Sequence, residues 1–290
     1  MEIDRQLTVT FPPRRVLTEI THDRLPSELD VIEARLRRAA QHIDELDREV
    51  TEWSEANNVT VVHRSDATFT RHEWVVQVPP APFDDWGVLV GEVFYALRGS
   101  LDNAVYRAAQ LVTGLDDPPK PRELAFPIAL TPESFRKNAR MSLRVFRDAG
   151  RFDIVEAIEQ LQPYHDGQGA ILPEDKAAVQ GLGLLKDLND RDKHRIPHQV
   201  TLAAPASSPT YQVPHAGVVE HTAVLGKIAD GAVVGSLILD SPDTPTMTLT
   251  HPFVVSALGL PLYAPSMLQA HLEITTEALH AFAYTVWPST

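Results

Sequence analysis

The stretch WGVLVGEVFYALRGSLDNAVYRAAQLV, residues 86–112, decides the fold. Its apolar side chains recur every three or four residues, which is the spacing of one face of an α-helix. The sequence therefore predicts a helix from Trp86 to Val112 at the centre of the core. Its apolar stripe consists of Val90, Phe94 or Val93, Leu97, Leu101, Val105 or Ala104, Ala108 and Val112.

A second long amphipathic helix is predicted upstream, over residues 27–56. Ser27 with Asp30 three residues later is typical of a capping box at its start. The opposite face is rich in charged side chains, which indicates a solvated surface. The apolar face consists of Leu29, Ile32, Leu36, Ala39, Ile43, Leu46, Val50 and Trp53.

Between these two helices the sequence predicts a β-hairpin. Residues 59–63 and 69–78 alternate apolar with polar side chains, and Ser65-Asp66 favours a turn between them. The prolines within residues 79–82 interrupt both the helical and the strand pattern. Asp84 or Asp85 is then expected to cap the central helix.

Three further helices are predicted after a proline-rich loop at residues 114–131. Thr131 followed by Pro132 indicates a capped start, and this helix should end near Gly150. A short helix should follow over residues 152–161. Another should run from Pro173 to about Arg195.

The C-terminal third is predicted to contain short strands over residues 200–262 and a last helix over residues 266–286. The fold class is therefore α+β, a central helical bundle with an N-terminal helix plus β-hairpin and a small C-terminal β region closed by the terminal helix. The predicted segments are 1–82, 83–199 and 200–290, packed as one body.

The composition restricts the function. The chain has 290 residues, no cysteine and a formal net charge of −13, so thiol chemistry is excluded and indiscriminate binding to nucleic acid or anionic lipid is disfavoured. No apolar run is long enough to cross a membrane, and a cytoplasmic location without membrane partners is expected. Glycine-rich phosphate loops, dinucleotide fingerprints and serine-hydrolase elbows are absent, and no cofactor is predicted.

Polar residues near the end of the Pro173 helix mark a candidate site. Ala178, Leu182 and Leu185 define an inward face, and Asn189 and Asp192 continue it at the same spacing. Buried polar groups need partners, so they form either a structural hydrogen-bond network or the floor of a pocket.

On the central helix, Arg98 and Asp102 lie four residues apart. At this spacing they can form a salt bridge. If half-buried, the pair could orient a substrate or the group around Asp192 and His194. If exposed, it would contribute little.

These residues belong to a longer pattern, consisting of Trp86, Leu97-Arg98-Gly99-Ser100-Leu101-Asp102-Asn103, Phe126-Pro127-Ile128, Gln162-Pro163-Tyr164, Asn189 and Asp192-Lys193-His194-Arg195. Over roughly residues 86–195 the chain resembles a widespread family of uncharacterised bacterial proteins. That family is in turn similar to HEPN domains, helical modules of which many are metal-independent RNA endonucleases acting as dimers.

The resemblance implies a set of catalytic roles. HEPN nucleases use an arginine followed after four to six residues by a histidine, and Arg191 with His198 fits this spacing, although Pro197 lies within the interval. His194, three residues after Arg191, is the other candidate. His194 or His198 would act as general acid or base on a ribose 2′-hydroxyl, and Arg191 or Arg195 would stabilise the phosphorane.

A basic stripe on the Pro132 helix favours a phosphate-bearing partner. Residues 133–151 contain six basic and two acidic side chains, a net charge of +4. Such a local reversal of charge can contact phosphates. The alternative is a solvated stripe that pairs with the acidic helix of residues 27–56. The stripe consists of Arg136, Arg140, Arg144 and Arg147, with Lys137 and Arg151 adjacent.

Metal binding is disfavoured. Asp190, His194 and His198 lie four residues apart, but Pro197 disturbs the helical geometry and no further ligand can be placed nearby. The leading hypothesis is thus a HEPN-like RNA-directed protein, with metal-independent ribonuclease activity and a homodimeric state as further expectations. The alternative is a non-catalytic binding or structural module in which residues 192–195 form an internal salt-bridge network.

Overall fold

The structure is a computed structural model. It describes residues 6–8, 24–165, 182–186, 200–204, 209–223, 226–249, 253–257 and 263–288. Its contacts divide the chain into two units. The strand unit consists of Met1–Val16, Glu45–Val88 and His198–Ser266, and the helical unit of Leu17–Asp44, Leu89–Pro197 and Met267–Thr290.

The fold class is α+β, as predicted. The helices are α1 (Asp30–Ala56), α2 (Phe83–Thr113), α3 (Pro132–Ser142), α4 (Arg144–Asp148), α5 (Phe152–Gln160) and α6 (Ala264–Val286), and residues 182–186 are also helical. The strands are β1 (Gln6–Thr8), β2 (Thr60–Ser65), β3 (Arg71–Gln77), β4 (Val200–Ala204), β5 (Thr210–Gln212), β6 (Val218–Ala223), β7 (Gly226–Ile228), β8 (Val233–Leu239), β9 (Thr246–Thr248) and β10 (Val254–Ala257).

The strand unit is built on a five-stranded antiparallel sheet with the order β1-β2-β3-β8-β6. The predicted hairpin is confirmed as β2 and β3, in which His63 lies opposite Trp74. On its other side β3 pairs with β8, where Trp74 lies opposite Gly235. The hairpin therefore shares one sheet with strands from the C-terminal third. A three-stranded sheet β10-β4-β7 and the pair β5-β9 complete this unit.

Gly235 allows the β5-β9 pair to pack on the sheet. A Cβ atom at this position would collide with the Tyr211 hydroxyl of β5 and would lie 3.3 Å from the Met247 sulfur of β9. The ring of Tyr211 lies 5.1 Å from that of Trp74, and burial raises the pKa of Tyr211 to about 12. The glycine thus makes room for the aromatic core of the strand unit.

The apolar stripe of the central helix is confirmed in the helical unit. Phe94, Leu97, Leu101 and Ala108 on α2 are fully buried, whereas Val112 at the predicted end of the stripe is half-buried. Every residue of the apolar face predicted over residues 27–56 is also buried. None of the helices in the described ranges is both long and apolar enough to cross a membrane.

Two predicted helix caps are wrong. Ser27 does not form a capping box with Asp30, because residues 27–29 form a 3-10 turn and the Ser27 hydroxyl donates to Glu28. Asp84 and Asp85 do not cap α2, because the helix already begins at Phe83 and both carboxylates lie in its first turn. There they still interact favourably with the positive end of the helix dipole.

The Pro132 helix starts as predicted but does not run unbroken to Gly150. The Thr131 hydroxyl accepts a hydrogen bond from Ser134 N, and Pro132 occupies the first turn. At Leu143 the backbone leaves the helical conformation, so α3 ends at Ser142 and α4 begins at Arg144. Leu143, at this junction, is fully buried.

Candidate functional site

We call the half-buried pair Arg98 and Asp102 the latch, because it binds the backbone of Phe126 within the proline-rich loop. One Arg98 nitrogen, Nη2, donates to Asp102 Oδ1 over 2.7 Å and to the carbonyl oxygen of Phe126 over 2.8 Å. The backbone N–H of Phe126 donates to the same Asp102 oxygen over 2.9 Å. The side chains are 14% and 31% exposed. The predicted salt bridge between Arg98 and Asp102 is confirmed. Both side chains also form hydrogen bonds with the backbone of Phe126.

Gln162 holds the same segment three residues further on. Its side-chain oxygen accepts a hydrogen bond from Ala129 N over 2.9 Å, and its amide nitrogen donates to Ile158 O over 2.8 Å. The residue is only 3% exposed, so both ends of a buried amide are satisfied. Sequence reasoning placed Gln162 in the resemblance pattern but gave it no role. A polar side chain directly before Pro163 at the end of a helix is the signal that could have suggested one.

The helical residues 182–186 contact this segment as well. A Cβ atom on Gly183 would lie 2.8 Å from Leu130 Cδ2 and 3.7 Å from Pro163 Cγ. Leu182 and Leu185 are buried, which confirms the inward face predicted for them. The structure therefore brings two pieces of the resemblance pattern, residues 97–103 and 162–164, to a third, residues 126–128.

The remaining predicted site residues lie outside the described residues. They are Asn189, Asp190, Arg191, Asp192, His194, Arg195 and His198. Their roles stay predictions. Among the described ranges, no cluster of three or more His, Cys, Asp or Glu side chains could hold a metal ion.

The predicted phosphate-binding residues form an exposed surface on α3 and α4. We call Arg136, Lys137, Arg140, Arg144 and Arg147 the basic surface. All are exposed except Arg147, which is half-buried. Arg144 forms an ion pair with Asp148 over 3.1 Å. Within the part of the chain that the structure describes, the other four form no ion pair, and none of the five pairs with a carboxylate of α1.

Arg151, which is adjacent to this surface in sequence, is engaged elsewhere. Its guanidinium binds the Asp153 carboxylate at a shortest distance of 2.7 Å. This hydrogen bond lowers the pKa of Asp153 and raises the pKa of Arg151. The positive charge of Arg151 is thus balanced locally, and the free cations of this region lie on α3 and α4.

Tyr164, in the Gln162-Pro163-Tyr164 piece of the pattern, packs against α3. Its ring lies 6.5 Å from that of Phe135, and its hydroxyl donates to Glu159 over 3.2 Å. Burial, the Glu159 charge and this bond raise the pKa of Tyr164, whereas Arg136 opposes the shift. The phenol stays protonated at neutral pH and serves as a hydrogen-bond donor.

The side chains of Arg98, Asp102 and Gln162 therefore hold the backbone of residues 126–129 in place. Those on α3 and α4 form a cationic surface that can bind anions. Comparison of the chain with protein-family models, with curated proteins and with solved structures finds no match.

Proposed function

We propose that this chain is a HEPN-like, RNA-directed protein that holds the phosphate backbone on its basic surface. One observation carries the proposal: four of the five cations on this surface have no ion-pair partner among the described residues, in a chain whose net charge is −13. Some cations elsewhere pair with neighbouring carboxylates, as Arg98 and Arg151 do, whereas these four lie together on α3 and α4. Cations without protein partners are available to neutralise phosphates.

The negative charge of the rest of the chain gives this surface its selectivity. Long-range repulsion disfavours contact between phosphates and other faces, so the nucleic acid should bind along α3 and α4. Each neutralised phosphate of a single strand releases counterions and contributes about −0.7 to the slope of log K against log salt. Binding through three or four cations should therefore be weak and strongly dependent on salt.

The proposal includes metal-independent cleavage, which rests on the resemblance. His194 or His198 would exchange a proton with the ribose 2′-hydroxyl, and Arg191 or Arg195 would stabilise the pentacoordinate phosphorus. Arg98 and Asp102 would act as positioning residues, because their polar groups already bind Phe126.

The second candidate is a non-catalytic binding or structural module. The same Arg98 and Asp102 contacts favour it, because two side chains proposed for the site bind the protein itself. In that case residues 192–195 would form an internal salt-bridge network.

The binding proposal is tested by fluorescence anisotropy with a labelled single-stranded RNA over a range of salt concentrations. The double variant Lys137→Glu/Arg140→Glu should bind at least about tenfold more weakly, with a salt slope reduced by about 1 to 1.5. Arg37→Glu/Arg38→Glu on α1 makes the same change of charge at exposed positions and should bind like the wild type. Equal losses in both double variants would show a non-specific charge effect and contradict the proposal.

The cleavage step is tested separately, with RNA and EDTA. Wild type should cleave, and His194→Ala or His198→Ala should lose activity. Equal activity in all three proteins would remove the nuclease proposal. Binding without cleavage by the wild type would leave the recognition module. Sedimentation of the wild type tests the homodimer implied by the resemblance.

A further inference from the structure

A groove of about 440 Å³ lies beside the basic surface, within the helical unit. It is formed where the end of α2, residues 119–124 and the junction of α3 with α4 meet. Its volume is in the range of small-ligand sites. The apolar walls are formed by Val112, Leu124, Met141 and Val145.

The rim of the groove carries two ion pairs. Lys120 Nζ lies 3.1 Å from Glu123, and Arg144 Nε lies 3.1 Å from Asp148. Lys120 has a backbone φ of 54°, a left-handed conformation that a lysine seldom adopts. The groove thus combines apolar walls, two cations and two carboxylates.

The interruption at Leu143 makes the groove continuous with the basic surface. Met141 at the end of α3 and Arg144 at the start of α4 both line it, and Arg144 also belongs to the basic surface. Met141 is 63% exposed although it is apolar and follows Arg140. An exposed apolar side chain beside cations offers a nucleotide an apolar contact for its base and positive charge for its phosphate.

We propose that this groove takes an unstacked base of single-stranded RNA whose backbone lies on the basic surface. The inference rests on the proposed function and adds the class of substrate. The apolar walls would contact the faces of the base, Glu123 and Asp148 would accept hydrogen bonds from its amino group, and the cations of the basic surface that have no ion-pair partner among the described residues would bind the flanking phosphates. In an A-form duplex the bases are stacked and paired, so a duplex would leave the groove empty.

The test compares one labelled RNA as a single strand and as a duplex, by anisotropy at one salt concentration. Met141→Ser removes an apolar wall without a change of charge, and Val145→Leu narrows the groove with a larger aliphatic side chain. Val31→Ser replaces another exposed apolar residue, 53% exposed on α1, and serves as the control. Single-stranded RNA should bind more tightly than duplex, and each groove variant should weaken only the single strand, by about fivefold or more.

Two results would overturn the inference. If single strand and duplex bind equally and neither groove variant differs from Val31→Ser, bases do not enter the groove, while binding on the basic surface stands. If the wild type binds neither RNA, the proposed function and the groove inference both fail. Weaker single-strand binding by Met141→Ser with an unchanged salt slope would support base contact, since the variant leaves the phosphate contacts intact.

Discussion

Arg98 donates to two acceptors from one nitrogen, so its loss would leave the Phe126 carbonyl group without this donor and the Asp102 carboxylate with only the Phe126 N–H. Removing one member of a mostly buried charged pair is costly, because the other charge stays desolvated. We expect Arg98→Ala to lower the free energy of unfolding by about 2 to 3 kcal/mol, measured by urea denaturation.

The matched control is Arg107→Ala, on the same helix. Arg107 is exposed, and among the described residues its side chain donates only to Gln110, so its replacement should change the free energy of unfolding by less than about 0.5 kcal/mol. Similar values for the two variants would mean that the latch does not stabilise the helical unit.

Asp66 in the turn of the hairpin gives a second prediction at this scale. A hydrogen bond from Thr68, with further bonds from the Thr70 and Arg71 amides, lowers its pKa from 3.8 to about 2. A depressed folded-state pKa stabilises the fold above the unfolded value of 3.8, and this stabilisation is lost as the pH falls from 3.8 through about 2.

NMR titration of the Asp66 carboxyl group checks this value directly. Asp66→Asn should lower the melting temperature at neutral pH and remove that part of the acid-induced decline. A midpoint near 3.8 for Asp66 would contradict the geometry of the turn.

At the residue scale, the sequence predicted contacts between side chains close together on one helix, but not the hydrogen bonds that these side chains form with distant backbone groups. The spacing of Arg98 and Asp102 on one helix predicted their salt bridge, since it depends only on helical geometry. Phe126 is 24 residues from Asp102, and no local pattern specifies that its backbone closes the latch. The role of Gln162 was missed for the same reason, because its acceptor bond with Ala129 spans 33 residues.

At the scale of elements, helix starts were predictable only where the local chemistry was complete. Thr131, Pro132 and Ser134 together supply a cap, a fixed φ and a reciprocal hydrogen bond. Ser27 had only a matching spacing. The chain before α1 is instead held by Glu33, which accepts a hydrogen bond from Leu25 N over 2.7 Å.

Thr131→Ala should therefore destabilise the protein by about 1 kcal/mol, because it removes the acceptor for Ser134 N. Thr131→Ser keeps the hydroxyl and should stay close to wild type. Both are measured by thermal and urea unfolding. An alanine variant as stable as the serine variant would show that the α3 cap contributes nothing.

At the scale of the whole molecule, composition and periodicity predicted the α+β class, because alternating and helical patterns survive any arrangement of the elements. They did not predict the sheet order. β3 pairs with β8 as its second neighbour, although the two strands are far apart in the sequence. Several apolar strands of the C-terminal third have similar patterns, so the pattern does not specify this pairing.

This pairing predicts the result of a truncation. A chain ending at residue 199 lacks β8 and β6, which leaves β3 with an open edge and exposes Trp74, a residue only 2% exposed in the full chain. We expect red-shifted tryptophan emission and no cooperative unfolding of the strand unit. A truncated chain with native-like emission and a cooperative transition would contradict this dependence.

The segment from Phe126 to Ala129 is tethered at both ends, to Asp102 at one and to Gln162 at the other. Three peptide bonds separate the two hydrogen-bonded N–H groups, so a single inserted residue would break one of the two hydrogen bonds. Changes of length are therefore far less tolerable here than changes of side chain.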